Sequence, residues 1–134
     1  NGTSFFNVLT DGNGDLVPLT AGGSVVLVNN DLSQLSDFEA KLTSSLSGIK
    51  IITFSDTRTA NRWLKLNKTR LIITANLIAS LARTKNKHTQ TIVMADHSDT
   101  KAAKFAKNRK AIFLDKNSDA QLLSIVAKDL LKLG

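Results

Sequence analysis

From Ser24 onward, short runs of β-branched and apolar residues alternate with longer segments whose apolar residues recur every three or four positions. A short run that is apolar on both pleat faces fits a strand covered from both sides. Apolar residues at helical spacing fit a helix with one buried face. The pattern predicts five strands, at 24–28, 49–54, 70–74, 91–95 and 111–114. The first helix buries Leu32, Leu35, Phe38, Leu42 and Leu46, with Asp31 or Ser33 as its cap and Gly48 just past its end. A second, over 57–66, turns Ala60, Trp63, Leu64 and Leu66 inward behind an N-cap at Asp56. A short third helix falls at 76–83. The fourth, over 98–107, packs Ala102, Ala103, Phe105 and Ala106 and carries Asp99 in its first turn. The last, over 118–133, sets Leu122, Leu123, Ile125, Val126, Leu130, Leu131 and Leu133 on a wide apolar face.

Strand, crossover helix and parallel strand, repeated with right-handed crossovers, give an α/β three-layer (βα)5 sandwich around a five-stranded parallel sheet. Residues 24–134 form that domain, and residues 1–23 differ in character. Ser4 to Leu9 reads as extended, Asp11 to Asp15 as turn-rich, and Leu16 to Leu19 as a second extended piece interrupted by Pro18. The segment is either a hairpin or a linker with one strand.

Composition narrows the function classes. With 134 residues and no cysteine, the chain has the size of one domain and offers no disulfide, thiolate metal site or cysteine nucleophile. No apolar stretch approaches the roughly 18–20 residues needed to span a bilayer, and a cytoplasmic location is expected. The chain opens at Asn1 rather than Met and reads as a piece of a longer protein. Sequons at Asn1 and Asn67 are short patterns that arise by chance. The net charge of +7 favours an acidic partner surface. Aromatic content of only 5% leaves no interleaved basic and aromatic platform for single-stranded nucleic acid, which makes nucleic acid a minor reading.

In a doubly wound sheet, functional groups gather at the carboxyl ends of the strands. Those ends read Asn29-Asn30-Asp31, Ser55-Asp56, Thr74-Ala75-Asn76, Ala95-Asp96-His97 and Asp115-Lys116. Asp96 and His97 beside Asp115 have the residue types of an acid–base or metal cluster, but surface polarity and helix capping account for Asp96 and His97 without chemistry. His88 reads as solvated. Asp11, Asn13 and Asp15 alternate like a calcium loop, yet Leu16 and Gly22 stand where that loop needs Gly and Glu, so a plain turn is expected. No glycine-rich phosphate cradle follows any strand, although Asn29 to Ser33 place helix-terminal amides within reach of an anion.

The order of elements, the run Val25-Val26-Leu27-Val28-Asn29-Asn30-Asp31 entering an amphipathic helix, and the closing Ala111-Ile112-Phe113-Leu114-Asp115-Lys116 together resemble a response-regulator receiver domain. The resemblance implies a flavodoxin/receiver-like fold over roughly residues 24 to 133. It also implies a site built from two metal-binding acids, an acceptor Asp, a hydroxyl residue and a Lys. This chain departs from that set. The acids would fall on Asn29 and Asn30, with Asp31 left as one acid if the register slips. The acceptor would fall on Thr74 or Asn76, the hydroxyl on Ala95, and the lysine on Asp115 with Lys116 one residue late. The resemblance therefore implies a degenerate receiver that holds no metal or cofactor and is not an enzyme. The segment Asn1 to Leu9 is similar to the Gly-Thr-Ser/Thr-Phe strand ending the ATP-binding domain of histidine kinases, which implies a hybrid kinase of a two-component phosphorelay as parent.

The surface is basic where Lys101, Lys104, Lys107, Arg109 and Lys110 lie on or just after one helix, with Arg83, Lys85 and Lys87 in the preceding connection. In receivers the fourth and fifth helices and the strand between them form the usual interaction face. The expectation is a non-catalytic protein-interaction module, contacting other domains of its own protein or an acidic partner. The alternative is a flavodoxin-like small-molecule or nucleotide-binding domain using Asn29, Asn30, Thr74, Asn76 and Asp96.

Overall fold

The computed structural model describes residues 8–10, 16–18, 23–75 and 89–132. Strands β1 (Val8–Thr10) and β2 (Leu16–Pro18) pair antiparallel as a separate two-stranded sheet, so the hairpin reading of the N-terminal segment holds. Strands β3 (Ser24–Val28), β4 (Lys50–Phe54), β5 (Leu71–Thr74), β6 (Gln90–Ala95) and β7 (Ile112–Asp115) form one parallel sheet in the order β4-β3-β5-β6-β7. All five predicted core strands are present, displaced by at most one residue at either end.

Helices α1 (Leu32–Ser45), α2 (Thr57–Leu66), α3 (Thr100–Asn108) and α4 (Ala120–Leu131) start the same way. Asp31, Asp56, Asp99 and Asp119 each accept a hydrogen bond from the third backbone N–H of the helix they precede. This satisfies an amide that the helix itself leaves unpaired.

Strand alternation divides the core. Val25, Leu27, Ile51, Leu71, Ile73, Ile92 and Met94 face α1 and α4, meeting Leu35, Phe38, Leu42, Leu123, Ala127 and Leu131. On the other face, Val26, Val28, Ile52, Phe54 and Ile72 pack under Ala60, Trp63 and Leu64 of α2. Val93 packs under Ala102 and Ala106 of α3. The registers Val28↔Thr74 and Thr74↔Val93 place α2 and α3 on the same side of the sheet. Where the chain enters β3, Gly23 adopts φ +86°, and a Cβ there would lie 2.7 Å from Arg70 Cδ, so only glycine fits.

Six expectations are corrected. Leu32 is 67% exposed, because it is the first residue of α1 and lies beside the cap rather than over the sheet, and Ala103 on α3 is exposed while Ala102 and Ala106 are buried. Leu66 is 86% exposed, because it ends α2 beyond the turn that carries Trp63 and Leu64 onto the sheet. The fourth predicted helix starts at Thr100, since Asp96 closes a turn onto Ser98 and the cap is Asp99. The last helix is apolar more widely than it is buried, for Leu122 and Ile125 stand 43% and 54% exposed. Strand β7 is less buried than the inner strands: Phe113 packs partly buried beside Ala102 and Ala106, Leu114 partly buried against the core facing α1 and α4, and Ile112 is exposed. The other edge strand, β4, is largely buried. The predicted helix at 76–83, Asn76, Arg83, Lys85, Lys87, His88, the residues of the Asp11–Asp15 turn and the Asn1–Asn7 segment lie outside the described residues.

Candidate functional site

The strand order reverses between β3 and β5, so the crevice at their carboxyl ends is where a sheet of this type places its ligand groups. Asn29, the first residue after β3, sits there with only 3% of its surface exposed. Its backbone N–H donates to Phe54 O at 3.1 Å, while Ala75 N–H donates to Val28 O at 2.9 Å, which fixes the three strand ends side by side.

The side chain of Asn29 is fully committed. Its Oδ1 accepts from the Asp31 backbone N–H at 2.9 Å, and its Nδ2 donates to Gln34 Oε1 at 2.6 Å. Gln34 Nε2 then donates to Lys116 O at 2.9 Å. A chain of neutral amides therefore runs from the end of β3, across the first turn of α1, to the turn after β7. Such a chain satisfies a buried amide that would otherwise cost about 1–3 kcal/mol.

Asp31 does not act as a spare acid of the site. Its Oδ1 accepts from Gln34 N–H at 3.1 Å, which commits it to capping α1. Asn30 is exposed, and Thr74, the last residue of β5, is buried. Ala95 contributes its carbonyl, accepting from Lys116 N–H at 2.9 Å, which leaves the Lys116 side chain exposed. Asp115 Oδ1 accepts from Asn117 N–H at 2.8 Å and so stabilises its own turn. The small crevice lined by Asn29, Ala75, Leu35, Phe38, Ile73 and Met94 holds no space for a water molecule.

Gln34 is the residue that sequence reasoning missed. The spacing Asp31-Leu32-Ser33-Gln34 is a capping-box pattern, in which Gln would fold back to the N-cap amide. Here Asn29 takes that amide. The Gln34 side chain is thereby released to bridge Asn29 and Lys116.

Asp96, His97 and Asp115 do come together. His97 Nδ1 lies 3.6 Å from both Asp96 Oδ1 and Asp115 Oδ2, beyond hydrogen-bond length, on a side chain that is 83% exposed. The hydroxyl and then the amide of Ser98 hold Asp96 below the usual carboxylate value, with smaller contributions from His97 and Lys116. Among the described residues no group of three His, Cys, Asp or Glu is placed to hold a metal ion. Lys101, Lys104, Lys107, Arg109 and Lys110 are all exposed on or just after α3, with the Arg109 guanidinium 5.7 Å from the centre of the Phe105 ring. The three large exposed apolar residues of the neighbouring elements are Ile112 on β7 and Leu122 and Ile125 on α4.

No protein-family model matches the chain, and no curated protein matches it in sequence. Solved structures do match. The receiver domain of the Francisella response regulator 1452 aligns at TM-score 0.68 and 18% identity, over 82% of this chain and 97% of that one. The receiver domain of the sensor histidine kinase PA1611 from Pseudomonas aeruginosa, solved with magnesium in its active-site cleft, gives TM-score 0.68 and 16% identity over 84% and 99%. An atypical orphan response regulator, described as having a phosphorylation-independent regulatory mechanism, gives TM-score 0.69 and 14% identity over 83% and 97%. The chain has the α/β flavodoxin-like fold of response-regulator receiver domains. No helix among the described residues is long and apolar enough to cross a membrane.

Proposed function

We propose that residues 24–134 form a receiver-like signalling module that works by protein contact, without phosphoryl transfer and without a metal. One observation carries this reading: at the strand ends Asn29 is held in a chain of mutually satisfied neutral groups that runs through Gln34 to the Lys116 carbonyl. A receiver site needs anionic oxygens there to hold a divalent cation, and an aspartate to attack phosphorus. Asn29, Asn30 and Thr74 offer neither, and Asn76 and Ala95 add no carboxylate. A cytoplasmic phosphorelay protein, such as a hybrid histidine kinase, is the parent this reading favours. The atypical orphan regulator, described as having a phosphorylation-independent regulatory mechanism, is a precedent for this fold regulated without phosphorylation.

The contact surface is the side built by α3, β7 and α4. Ile112, Leu122 and Ile125 supply apolar area there, and Lys107, Arg109 and Lys110 supply charge for an acidic partner, with Lys101 and Lys104 further along α3. An exposed apolar patch rimmed by polar residues is the kind of surface that marks a protein contact.

Incubation with magnesium and a small phosphodonor, followed by intact mass, is expected to leave the mass unchanged. A stoichiometric acid-labile adduct on an aspartate overturns the reading. Chemical shifts on adding neighbouring domains of the parent protein are expected within 100–132; shifts confined to Asn29, Asn30, Thr74 and Asp96 with a small ligand would establish the binding-domain alternative instead.

A further inference from the structure

Charge is divided unevenly along this chain. Residues 57–110 hold thirteen of its eighteen Lys and Arg and only two of its eleven acids, a net of +11, whereas the remainder nets −4. Asymmetry of this size within one domain points to a polyanionic partner. The fold gives it a direction, because α2 and α3, the described helices of that stretch, lie on one side of the sheet, while α1 and α4 cover the other.

On α2, Arg58, Arg62 and Lys65 recur at i, i+4 and i+7, which aligns them on one exposed face over about 10 Å of helix. None forms an ion pair with a described carboxylate, and the nearby Asp56 is occupied by Thr59. Lys101, Lys104 and Lys107 on α3 are likewise exposed and unpaired among the described residues. Helix α2 packs over β4 and β3, and α3 over β6 and β7. The two helices that carry the cations are thus about three strand spacings, or roughly 14 Å, apart.

We propose that this α2–α3 side binds the phosphate backbones of duplex nucleic acid, without sequence preference, sharing the α3 lysines with the protein contact proposed for α3, β7 and α4 while the α2 cations serve the duplex alone. A separation of about 14 Å lets the two sets reach the two backbones bordering a groove about 12 Å wide. The chemistry of the face selects among polyanions. Its solvent side on α2 has no exposed apolar residue except Leu66, and no described aromatic residue is exposed, so the anchors of a protein interface and the stacking platform of a single strand are both missing. Backbone recognition needs only spaced cations.

Fluorescence anisotropy of the 134-residue chain with a labelled 20-base-pair duplex of arbitrary sequence, from 50 to 200 mM salt, tests the proposal. The logarithm of the binding constant is expected to fall linearly with the logarithm of salt, with a slope of about −4 to −5 for five or so phosphates neutralised. The triple variant Arg58→Gln, Arg62→Gln, Lys65→Gln is expected to flatten that slope by about 2 to 3. Lys41→Gln with Lys128→Gln, on the opposite side, leaves it unchanged, as does Ile112→Ser, which disturbs only the protein contact. A duplex that fails to bind at 50 mM salt overturns the proposal. So does a slope the α2 variant does not move, or stronger binding to vesicles rich in anionic lipid or to polyglutamate than to the duplex.

Discussion

Gln34 Oε1 accepts a 2.6 Å hydrogen bond from Asn29 Nδ2, and through its own amide hydrogens Gln34 passes that connection to the carbonyl of Lys116. The bridge adds a side-chain link between three parts of the chain: the end of β3, the first turn of α1 and the turn after β7. A cation held by carboxylates would draw the same parts together in a receiver, whereas here the link is uncharged and permanent.

Removing one partner should cost more than the bond is worth, since it leaves a buried amide unpaired. Gln34→Ala is expected to lower stability by about 1–3 kcal/mol in chemical denaturation. A double-mutant cycle with Asn29→Ala is expected to give a coupling of about 1 kcal/mol. Amide exchange in the turn at 116–118 should accelerate in either single variant.

Restoring an acid at this place should harm the fold. In Asn29→Asp the new carboxylate still accepts from Asp31 N–H, but it presents oxygen to Gln34 Oε1. If the Gln34 amide rotates to donate to it, oxygen then faces Lys116 O, so one acceptor pair is always opposed. The expected loss is about 1–3 kcal/mol at neutral pH. It should shrink on acidification, as the protonated carboxyl regains a donor.

The architecture was legible because both signals that encode it are local. Strand runs such as Val25–Val28 are apolar throughout, and helix starts are marked by Asp31 and Asp56, each placed three residues before the amide it caps. What escaped were properties set by neighbours. The periodicity of α2 includes Leu66, but Leu66 is the last residue of the helix and stands exposed. That Asn29 and Asn30 are amides was readable from the sequence, whereas the hydrogen-bonded chain that Asn29 enters was not, because Lys116 is distant in sequence and contributes only its carbonyl. The i, i+4, i+7 spacing of Arg58, Arg62 and Lys65 is written in the sequence, but their alignment with the α3 lysines follows from α2 and α3 lying on the same side of the sheet.

Burial on α1 and α2 can be checked by a matched pair of truncations. Leu42 is fully buried between the sheet and α4, so Leu42→Ala is expected to cost about 2–5 kcal/mol. Leu66→Ala, at an exposed position, should change the denaturation midpoint negligibly.

Asp56 and Asp96 make a second matched pair, this time in acid. Both carboxyls lie below the ordinary value of 3.8. A carboxyl depressed in the folded state stabilises it above the ordinary value, and that contribution disappears as pH falls through the folded-state value. Both therefore add to acid unfolding only below about 3.8. Their causes differ in order. The Ser98 hydroxyl leads at Asp96, followed by the Ser98 amide, whereas the Thr59 backbone amide leads at Asp56, followed by the Thr59 hydroxyl. In carboxyl-resolved NMR titrations, Ser98→Ala should move the Asp96 midpoint upward by removing its leading cause, and Thr59→Val should move that of Asp56 upward while leaving its leading cause, the backbone amide, in place.

Lys110 separates stability from contact. It closes α3 with φ 55°, the left-handed region that costs a residue with a Cβ about 1–2 kcal/mol, and its side chain is exposed at the proposed protein contact. Replacing it by glycine removes the strain and the charge together, at the expense of greater freedom in the unfolded chain. Lys110→Gly is expected to leave stability unchanged or raise it by up to about 1 kcal/mol. The same variant should weaken an acidic protein partner and steepen the fall of affinity with salt less than wild type does. A variant that is both less stable and equally tight would show that Lys110 serves the turn and not the contact.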